Sequence, residues 1–299
     1  MLLPTTEKLP GGGAIDGLSP LNAALVFLKG QQAAITAVHA AAADIDRGAD
    51  VMAAAIRSGL SLTYAAAGSS GLMALADACE LSGTFGISTD AVRIHMAGGV
   101  PVDGRMPGDT EDDVEAAKDA ARNVASGDAI IVLSASGTTP YTLEVAKFAK
   151  AKGGTIIAIA NNPATALLDI ADVSICLETP PEVVAGSTRL GAGTAQKAAL
   201  NLMSSLMGVK LGHVYQGMMV NVVADNAKLL KRAAGIVSHI ANVTIQAAEA
   251  ALSIAGGNPK VAILIAKGCT ASAAENLLAV HDGHLGPCLQ SLTSNLDDK

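Results

Sequence analysis

Five short apolar runs, the best of them rich in Ile and Val, alternate with helical patterns through the middle of the chain, and this alternation constrains the fold more than any other feature. The runs lie at residues 61–68, 91–98, 129–136, 155–162 and 173–179. Short continuous apolar runs are typical of strands that are buried on both faces, and alternating strands and helices are typical of a parallel sheet. The sequence therefore predicts an α/β fold in which helices cover both faces of a parallel sheet.

Helical segments extend this core at both ends of the chain. A Pro- and Gly-rich stretch at residues 1–16 is predicted to be an extended arm, and two helices follow it, the first beginning at Ser19 and Pro20. After residue 192 the pattern is almost wholly helical, with one continuous helix predicted over 218–241. The expected organisation is an N-terminal arm and helices at 1–59, a core at 60–212 and a C-terminal helical region at 213–299.

Charge and composition exclude several classes of partner. The net charge is -7, aromatic residues make up 2% of the chain, and Lys and Arg form no cluster. A nucleic-acid partner is not expected. The chain has no Lys and Arg cluster to release counterions from a nucleic acid and few aromatic side chains to stack on bases. No apolar run approaches the ~18 residues of a membrane span and no signal peptide is evident, so we expect a cytosolic protein without a membrane partner.

The four cysteines show no Cys-x-x-Cys spacing. Because Cys79 and Cys176 lie in apolar segments, the sequence predicts reduced, buried thiols rather than disulfides. No cluster of His, Cys and Asp residues points to a metal ion or a redox cofactor, so neither is expected.

Two strand ends share one design, because each passes from an apolar strand through Ser and Gly into a helix. They are YAAAGSSGLMA at 64–74 and VLSASGTTPYT at 132–142, and a third segment rich in Ser, Thr and Gly follows at 185–194. A helix N-terminus presents unpaired N–H groups, Gly lets the backbone approach a ligand, and hydroxyls add donors, so such turns bind phosphate without Lys or Arg. In an open parallel sheet these turns lie at the carboxyl ends of the strands and face one cleft.

Helix capping explains either of the first two turns by itself, but three such segments together favour an anion site. The ATP-binding motif GxxxxGK[ST] is absent, which argues against Walker-type ATP hydrolysis. Within the second turn, Ser134, Ser136 and Thr139 are expected to be the most direct donors. The predicted substrate-binding residues are Gly68, Ser69, Ser70, Ser134, Ser136, Gly137, Thr138, Thr139, Ser187, Thr188 and Arg189.

Several of these segments resemble one family of enzymes, in the same order along the chain. The turn LSASGTTPY at 133–141 is similar to the phosphate loop of sugar isomerase (SIS) domains, and GSTRLGAGTAQK at 186–197 is the most specific match. The chain resembles N-acetylmuramic acid 6-phosphate etherases at residues 66–86, 96–99, 136–141, 161–163, 181–205 and 218–229. That resemblance implies a SIS-type, flavodoxin-like five-stranded parallel sheet with helical extensions, and a homodimer with its sites near the subunit interface.

The same resemblance implies an activity and two catalytic residues. Members of the family cleave the D-lactyl ether of N-acetylmuramic acid 6-phosphate, which yields N-acetylglucosamine 6-phosphate and D-lactate. Their two catalytic glutamates correspond to Glu80, within ADACELSGTFG, and to Glu111, twelve residues after Gly99. Glu111 would remove the proton at C2 and Glu80 would protonate the departing ether oxygen, while the hydroxyl turns hold the phosphate. Water then adds to the unsaturated intermediate, with no metal or redox cofactor required.

Without the resemblance, both glutamates have ordinary explanations. Glu80 lies at the C-terminal end of a helix predicted over 71–80, where the dipole disfavours a carboxylate and favours a protonated general acid, but an exposed helix-end glutamate fits equally well. Glu111 fits a helix predicted over 111–125 whose first turn is acidic and whose cap is Thr110. From the residues alone, capping is the stronger interpretation of Glu111.

The chain departs from the family at positions that usually carry cations. Leu72 and Thr138 stand where the family usually has Arg, and Gly191 stands where it usually has Lys. Arg189 remains, and it is predicted either to contact an anion or to pair on the surface. These changes predict weaker recognition of a doubly anionic substrate, so a related lyase acting on another substituent is the second expectation after the D-lactyl ether.

Two functions of other classes stay open. A non-catalytic phosphosugar-binding regulator of the glucokinase-regulatory type would keep the hydroxyl turns but would not need Glu80 or Glu111. A phosphosugar isomerase is the other alternative, although none of the six histidines forms an evident Glu-His pair.

Overall fold

The structure, a computed structural model of the 299-residue chain, describes residues 4–9, 15–224 and 226–297. The chain divides into two compact units. One comprises Met1–Cys79 and Asp90–Ser204 and contains the main sheet, and the other comprises Glu80–Thr89 and Ser205–Lys299 and is mainly helical. We call them the sheet unit and the helical unit.

The sheet unit is built on five parallel strands. They are β1 Leu62–Ala66, β2 Val92–Met96, β3 Ala129–Ser134, β4 Thr155–Ala160 and β5 Val173–Cys176, in the order β2-β1-β3-β4-β5. This is the flavodoxin-like order, so the predicted fold class is confirmed. Every residue of β1 and β3 is buried, as expected for central strands that are covered on both faces.

The strand register places the carboxyl ends of the central strands level with one another. Ala66 pairs with Leu133, and Ser134 pairs with Ala160. The turn after β1 and the turn after β3 therefore begin side by side at one end of the sheet, which is where ligands bind in open parallel sheets.

The helices of the sheet unit follow the predicted pattern, with differences at their ends. They are α1 Pro20–Ala40, α2 Ala42–Arg57, α3 Gly68–Ala78, α5 Val114–Ala120, α6 Pro140–Ala151, α7 Ala166–Ile170 and most of α8 Gly191–Lys210. α1 begins as predicted, with Pro20 in its first turn and the Ser19 Oγ accepting a hydrogen bond from the Asn22 N–H at 3.4 Å. The helix predicted over 111–125 is much shorter. The arm predicted to be extended contains a 3-10 turn at Thr5–Glu7, and its residues 10–14 lie outside the described residues.

A buried carboxylate ties α3 to the sheet and to α8. Asp77 accepts hydrogen bonds from the Tyr64 OH at 3.0 Å, the Asn201 Nδ2 at 2.9 Å and the Ser204 Oγ at 2.9 Å. Burial, with the charge of Asp77, raises the pKa of Tyr64 well above its ordinary value, so the phenol remains a donor. These bonds fix the position of α3, whose N-terminus borders the candidate site.

The helical unit contains α4 Leu81–Phe85, a hairpin that pairs β6 Val214–Tyr215 with β7 Met218–Met219, and a set of short helices. The helices are α9 Ala227–Ala241, α10 Ile245–Ile254, α11 Pro259–Ala266, α12 Ala271–Val280 and α13 Leu285–Asp297. The continuous helix predicted over 218–241 is therefore wrong in its first part. Asn226 caps α9 by accepting the Leu229 N–H at 3.0 Å, and Gln216 and Gly217 adopt the positive φ angles of a tight hairpin turn.

The core of the helical unit encloses the amine of Lys260. This residue is 6% exposed, and its Nζ donates to the carbonyl oxygens of Gly283 at 3.0 Å and Gly212 at 3.4 Å. Burial lowers the pKa of the amine to about 8. The amine thus joins the turn after α8 to the turn between α12 and α13.

The cysteines are only partly as predicted. All four are free thiols, and Cys288 is buried. Cys79 is exposed, because it is the residue that ends α3 at the surface, so the prediction of a buried thiol there is wrong. Cys176, in the edge strand β5, is half-buried.

In the described part of the chain, no single helix combines the length and the apolar composition needed to cross a membrane. Pro259–Ala266 and Ala271–Val280 meet that criterion only when they are taken together, and a bend of 116° separates them.

Candidate active site

A cavity of about 150 Å³ lies at the carboxyl ends of β1 and β3, and the three hydroxyl-bearing segments meet there. The predicted site residues that line it are Ser69, Ser70, Glu111, Ser134, Ser136, Thr139 and Thr188. Its other lining residues are Thr6, Glu7, Ala67, Leu133, Ala135 and Gly186. The predicted residues that do not line it are Gly68, Gly137, Thr138, Ser187, Arg189 and Glu80.

The turn after β1 presents free donors to the cavity. The residue that precedes α3 is Ala67, and no side chain caps the helix, so Ser69 and Ser70 do not act as caps. The backbone N–H groups of Ser69 and Ser70 have no acceptor among the described residues, as is usual in the first turn of an uncapped helix. Both the N–H groups and the hydroxyls are therefore available to a ligand.

The turn after β3 is organised around Ser134. Its Oγ accepts a hydrogen bond from the Gly137 N–H at 3.0 Å and lies 2.9 Å from the Thr139 Oγ1 and 3.3 Å from the Ser136 Oγ. Thr138 is exposed and donates to the Ser136 Oγ from its N–H at 3.2 Å and from its Oγ1 at 3.1 Å. Thr138 thus supports Ser136 from outside the cavity, while Ser134, Ser136 and Thr139 face into it.

Gly137 lets this turn close. Its φ is +71°, which an L side chain rarely adopts, and a Cβ built on it would lie 2.5 Å from the Cβ of Thr165. The Gly137 carbonyl also accepts the Leu167 N–H at 3.2 Å. Gly137 therefore shapes the site although it does not line the cavity.

The third segment contributes Gly186 and Thr188 but leaves its helix N-terminus unavailable. The Glu182 carboxylate accepts the Gly191 N–H at 2.8 Å and the Ala192 N–H at 2.9 Å, and it therefore occupies the start of α8. Arg189 is exposed and lies off the cavity. Within the described ranges α3 and α6 begin at the cavity; α3 keeps unpaired N–H groups there, whereas in α6 Pro140 has no N–H and the Tyr141 N–H donates to the Glu111 carbonyl oxygen.

Glu111 is not part of a helical first turn. α5 begins at Val114, and its cap is Asp113, whose Oδ1 accepts the Ala116 N–H at 2.9 Å. The interpretation of Thr110 as the cap, with Glu111 in the first turn, is therefore wrong. Glu111 lies before the helix, where its side chain is free to face the cavity.

Two contacts hold Glu111 at the site. Its carbonyl oxygen accepts the Tyr141 N–H at 2.9 Å, which fixes the loop to the start of α6. Its Oε1 lies 2.9 Å from the position of a Cβ built on Gly68, so the carboxylate rests against the bare backbone at the start of α3. The carboxylate thus borders the hydroxyl turns.

Glu80 is placed differently. α3 ends at Ala78, and Glu80 is an exposed residue that immediately precedes α4 in the helical unit. It lies between two helix ends rather than within the end of one helix as predicted, and the cavity of the sheet unit does not include it. Its role as general acid stays a prediction.

Sequence reasoning missed the N-terminal arm, which contributes Thr6 and Glu7 to the cavity. No local pattern could have assigned them, because the arm is held by contacts with residues more than a hundred positions away, such as Asn162.

The charge of the cavity is unusual for an anion site. Among its lining residues in the described chain there is no Lys or Arg, and there are two carboxylates. No group of three or more His, Cys, Asp or Glu side chains within the described ranges could hold a metal ion. Helix N-termini and hydroxyls are therefore the groups of this cavity that suit an anion.

Comparison with known proteins agrees with this geometry. Residues 104–208 match the SIS domain family. The chain is 38% identical over 283 residues to the N-acetylmuramic acid 6-phosphate etherase of Deinococcus radiodurans, covering 94% of this chain and 93% of that one. It is 36% identical over 287 residues to the Aeromonas hydrophila protein of the same name, covering 95% and 96%.

The chain belongs to the N-acetylmuramic acid 6-phosphate etherase family. Among solved structures it is similar to a phosphoheptose isomerase from Francisella tularensis, with 17% identity, a TM-score of 0.48 and coverage of 64% of this chain and 100% of that one.

The three positions at which the resemblance implies a cation, Leu72, Thr138 and Gly191, all lie off the cavity wall. Leu72 is 37% exposed on α3, Thr138 is exposed, and Gly191 lies at the start of α8 beside Glu182. The hydroxyl groups that line the cavity therefore do not include these three positions.

Proposed function

We propose that this chain is a carbon–oxygen lyase that cleaves the D-lactyl ether of N-acetylmuramic acid 6-phosphate, releasing D-lactate and N-acetylglucosamine 6-phosphate. The observation that carries the proposal is the cavity in which three hydroxyl-bearing segments meet the Glu111 carboxylate. The relatives that cover almost the whole chain bear the name of this etherase.

The phosphate is the part of the substrate that the hydroxyl turns are suited to hold. The open N-terminus of α3 supplies N–H donors, and the starts of α3 and α6 supply the positive ends of two dipoles. Ser69, Ser134 and Thr139 add hydroxyl donors. We expect the phosphate oxygens to bind between these two turns.

The elimination follows once the sugar ring is open. The C1 aldehyde acidifies the proton at C2, and the Glu111 carboxylate takes that proton. A double bond forms between C2 and C3 while the C3–O bond breaks, and its electron pair leaves with the ether oxygen, which receives a proton from Glu80. Water then adds across the double bond, returning hydrogen to C2 and hydroxyl to C3. Glu111 and Glu80 have these roles by proposal.

The proposal also covers the oligomeric state, the location and the partners of the protein. We expect a homodimer in the cytosol that acts on a small phosphosugar without a nucleic-acid partner, a membrane partner, a metal or a redox cofactor. Phosphate binding by the hydroxyl turns and proton transfer by the Glu111 carboxylate would require no nucleic acid, membrane, metal or redox cofactor.

The test is turnover in ¹⁸O-labelled water. The pure protein should release D-lactate from N-acetylmuramic acid 6-phosphate and place the label at C3 of the product. Glu111→Gln and Glu80→Gln should each lower kcat by roughly 100-fold to 10,000-fold, since each removes a proton-transfer group. Asp112→Asn is the matched control, because it changes an exposed carboxylate next to Glu111 that does not line the cavity.

Other results of the turnover experiment would favour one of the alternative functions. Binding without turnover would favour the phosphosugar-binding regulator or a lyase for another ether. Interconversion of aldose and ketose phosphates without lactate release would favour an isomerase. Full activity in both glutamine variants would contradict the assigned mechanism.

A further inference from the structure

The described residues of the N-terminal arm, 4–9, are held against the candidate site by hydrogen bonds. The Thr5 N–H donates to the Asn162 Oδ1 at 2.6 Å, and the Gly186 N–H donates to the Thr6 carbonyl oxygen at 3.1 Å. The Asn162 Nδ2 donates in turn to the Ala135 carbonyl oxygen at 2.9 Å, in the turn after β3. Thr6 is fully buried, so this part of the arm forms a wall of the site.

Glu7 extends from this wall into the cavity. Its side chain lines the cavity together with Glu111. A Cβ built on Gly186 would lie 3.1 Å from the Glu7 Oε2, so the carboxylate rests on backbone that has no side chain. Within the described ranges no ion pair or hydrogen-bond donor is assigned to this carboxylate, and it remains a free acceptor that faces a small polar space.

The chemistry of the cavity restricts what Glu7 can contact. A carboxylate accepts hydrogen bonds and donates none, and at short range it repels a phosphate. The N–H groups and hydroxyls of the turns after β1 and β3 are the groups of the cavity that suit the phosphate. The remaining donors of a phosphosugar are its hydroxyls and, in an amino sugar, its amide N–H.

We infer that Glu7 is a substrate-positioning residue, whose carboxylate accepts a hydrogen bond from a hydroxyl or amide N–H of the phosphosugar and transfers no proton. It orients the sugar because the phosphate can bind only at the helix N-termini while the neutral end meets Glu7. The inference rests on the proposed function, since it takes the ligand to be a phosphosugar.

Kinetics of Glu7→Gln and Glu7→Ala test this role. In Glu7→Ala, loss of a hydrogen bond to a charged group should raise KM for N-acetylmuramic acid 6-phosphate by roughly 10-fold to 100-fold and leave kcat and the pH profile unchanged. Glu7→Gln should raise KM less, because its amide oxygen still accepts a hydrogen bond. Lys8→Gln is the matched control, because Lys8 is the next side chain of the same arm, is exposed and does not line the cavity. Circular dichroism checks folding, which an exposed side chain such as Glu7 should not affect.

Binding measurements separate this inference from the proposed function. By calorimetry, Glu7→Ala should bind N-acetylglucosamine 6-phosphate roughly 10-fold more weakly than the unchanged protein, and inorganic phosphate no more weakly. If the unchanged protein shows no turnover, the proposed function fails, and the two affinities still decide the role of Glu7. Equal weakening for sugar phosphate and phosphate would overturn the inference, because Glu7 would then only maintain the shape of the site. Unchanged sugar affinity, or a lower kcat with a shifted pH profile at constant KM, would overturn it as well.

Discussion

Replacing Gly137 by Ala tests whether the hydroxyl turn after β3 depends on its close approach to Thr165. The positive φ of +71° alone should cost an alanine about 1–2 kcal/mol. The added Cβ would also lie 2.5 Å from the Cβ of Thr165, which is buried and has little room to move. Overpacking of this kind costs about 1–3 kcal/mol. Together the two effects should lower the free energy of unfolding by about 2–5 kcal/mol.

Urea unfolding of matched glycine variants separates the two effects. Gly99→Ala shares a positive φ, +88°, but its Cβ would meet nothing within 4 Å, so it should lose only about 1–2 kcal/mol. Gly108→Ala has neither a positive φ nor a close neighbour, and its stability should change by less than about 0.5 kcal/mol. Equal losses for Gly137→Ala and Gly99→Ala would refute the argument that Thr165 constrains the turn.

The same variant should lose ligand affinity. The Gly137 N–H donates to the Ser134 Oγ, which in turn lies beside Thr139 and Ser136, so a shifted Gly137 displaces the hydroxyls that face the cavity. Calorimetry with N-acetylglucosamine 6-phosphate should show binding weaker by roughly 10-fold or more, the loss of one or two hydrogen bonds to a charged ligand. Unchanged affinity would mean that this turn does not hold the phosphate.

Three further predictions concern the support of the site and the helical unit. Asp77→Ala leaves three buried or half-buried donors without an acceptor, so urea unfolding should show a loss of about 3 kcal/mol or more. Between about pH 8 and pH 10.5 an unfolded Lys260 keeps the proton that the folded amine has lost, so the free energy of unfolding should rise with pH there, and Lys260→Met should abolish the rise. Cys79 should react with a thiol reagent well before Cys288, and Cys79→Ser should remove that fast phase.

The sheet could be predicted because a strand that is buried on both faces is a short continuous run of apolar residues, which can be seen in the local sequence. β3 and β4 read AIIVLS and TIIAIA, and every residue of β3 is buried. The same reasoning failed at 218–241. The apolar residues of MMVNVV are compatible with a helix, but the first two of them form a strand of the hairpin. Two short strands are too brief to show a period of two, and the positive φ angles of Gln216 and Gly217 decide the turn.

The site could be predicted only where its residues lie together in one turn of the sequence. Ser134, Ser136 and Thr139 follow a strand directly, and strand ends of a parallel sheet meet. For Glu111, local propensity pointed to a capped helix, and a tertiary contact with the start of α6 overrode it. Glu7 had no local signal at all, because the neighbouring Thr5 is held by a residue 157 positions away.

The charges around the cavity determine where the ether substituent can bind. The Glu182 carboxylate already occupies the start of α8, so among the described helices that reach the cavity the starts of α3 and α6 are the ones whose dipoles favour an anion. Each helix N-terminus carries a partial positive charge of about half an elementary charge. Two of them suit one phosphate, and no positive charge remains in the cavity to balance a second anionic group beside Glu7 and Glu111. We therefore expect a lactyl carboxylate to lie beyond the cavity wall when the phosphate is bound at the starts of α3 and α6. Leu72, Thr138 and Gly191, where the resemblance implies a cation, also lie off that wall, so we expect specificity for the substituent to be determined there and not by the hydroxyls inside the cavity.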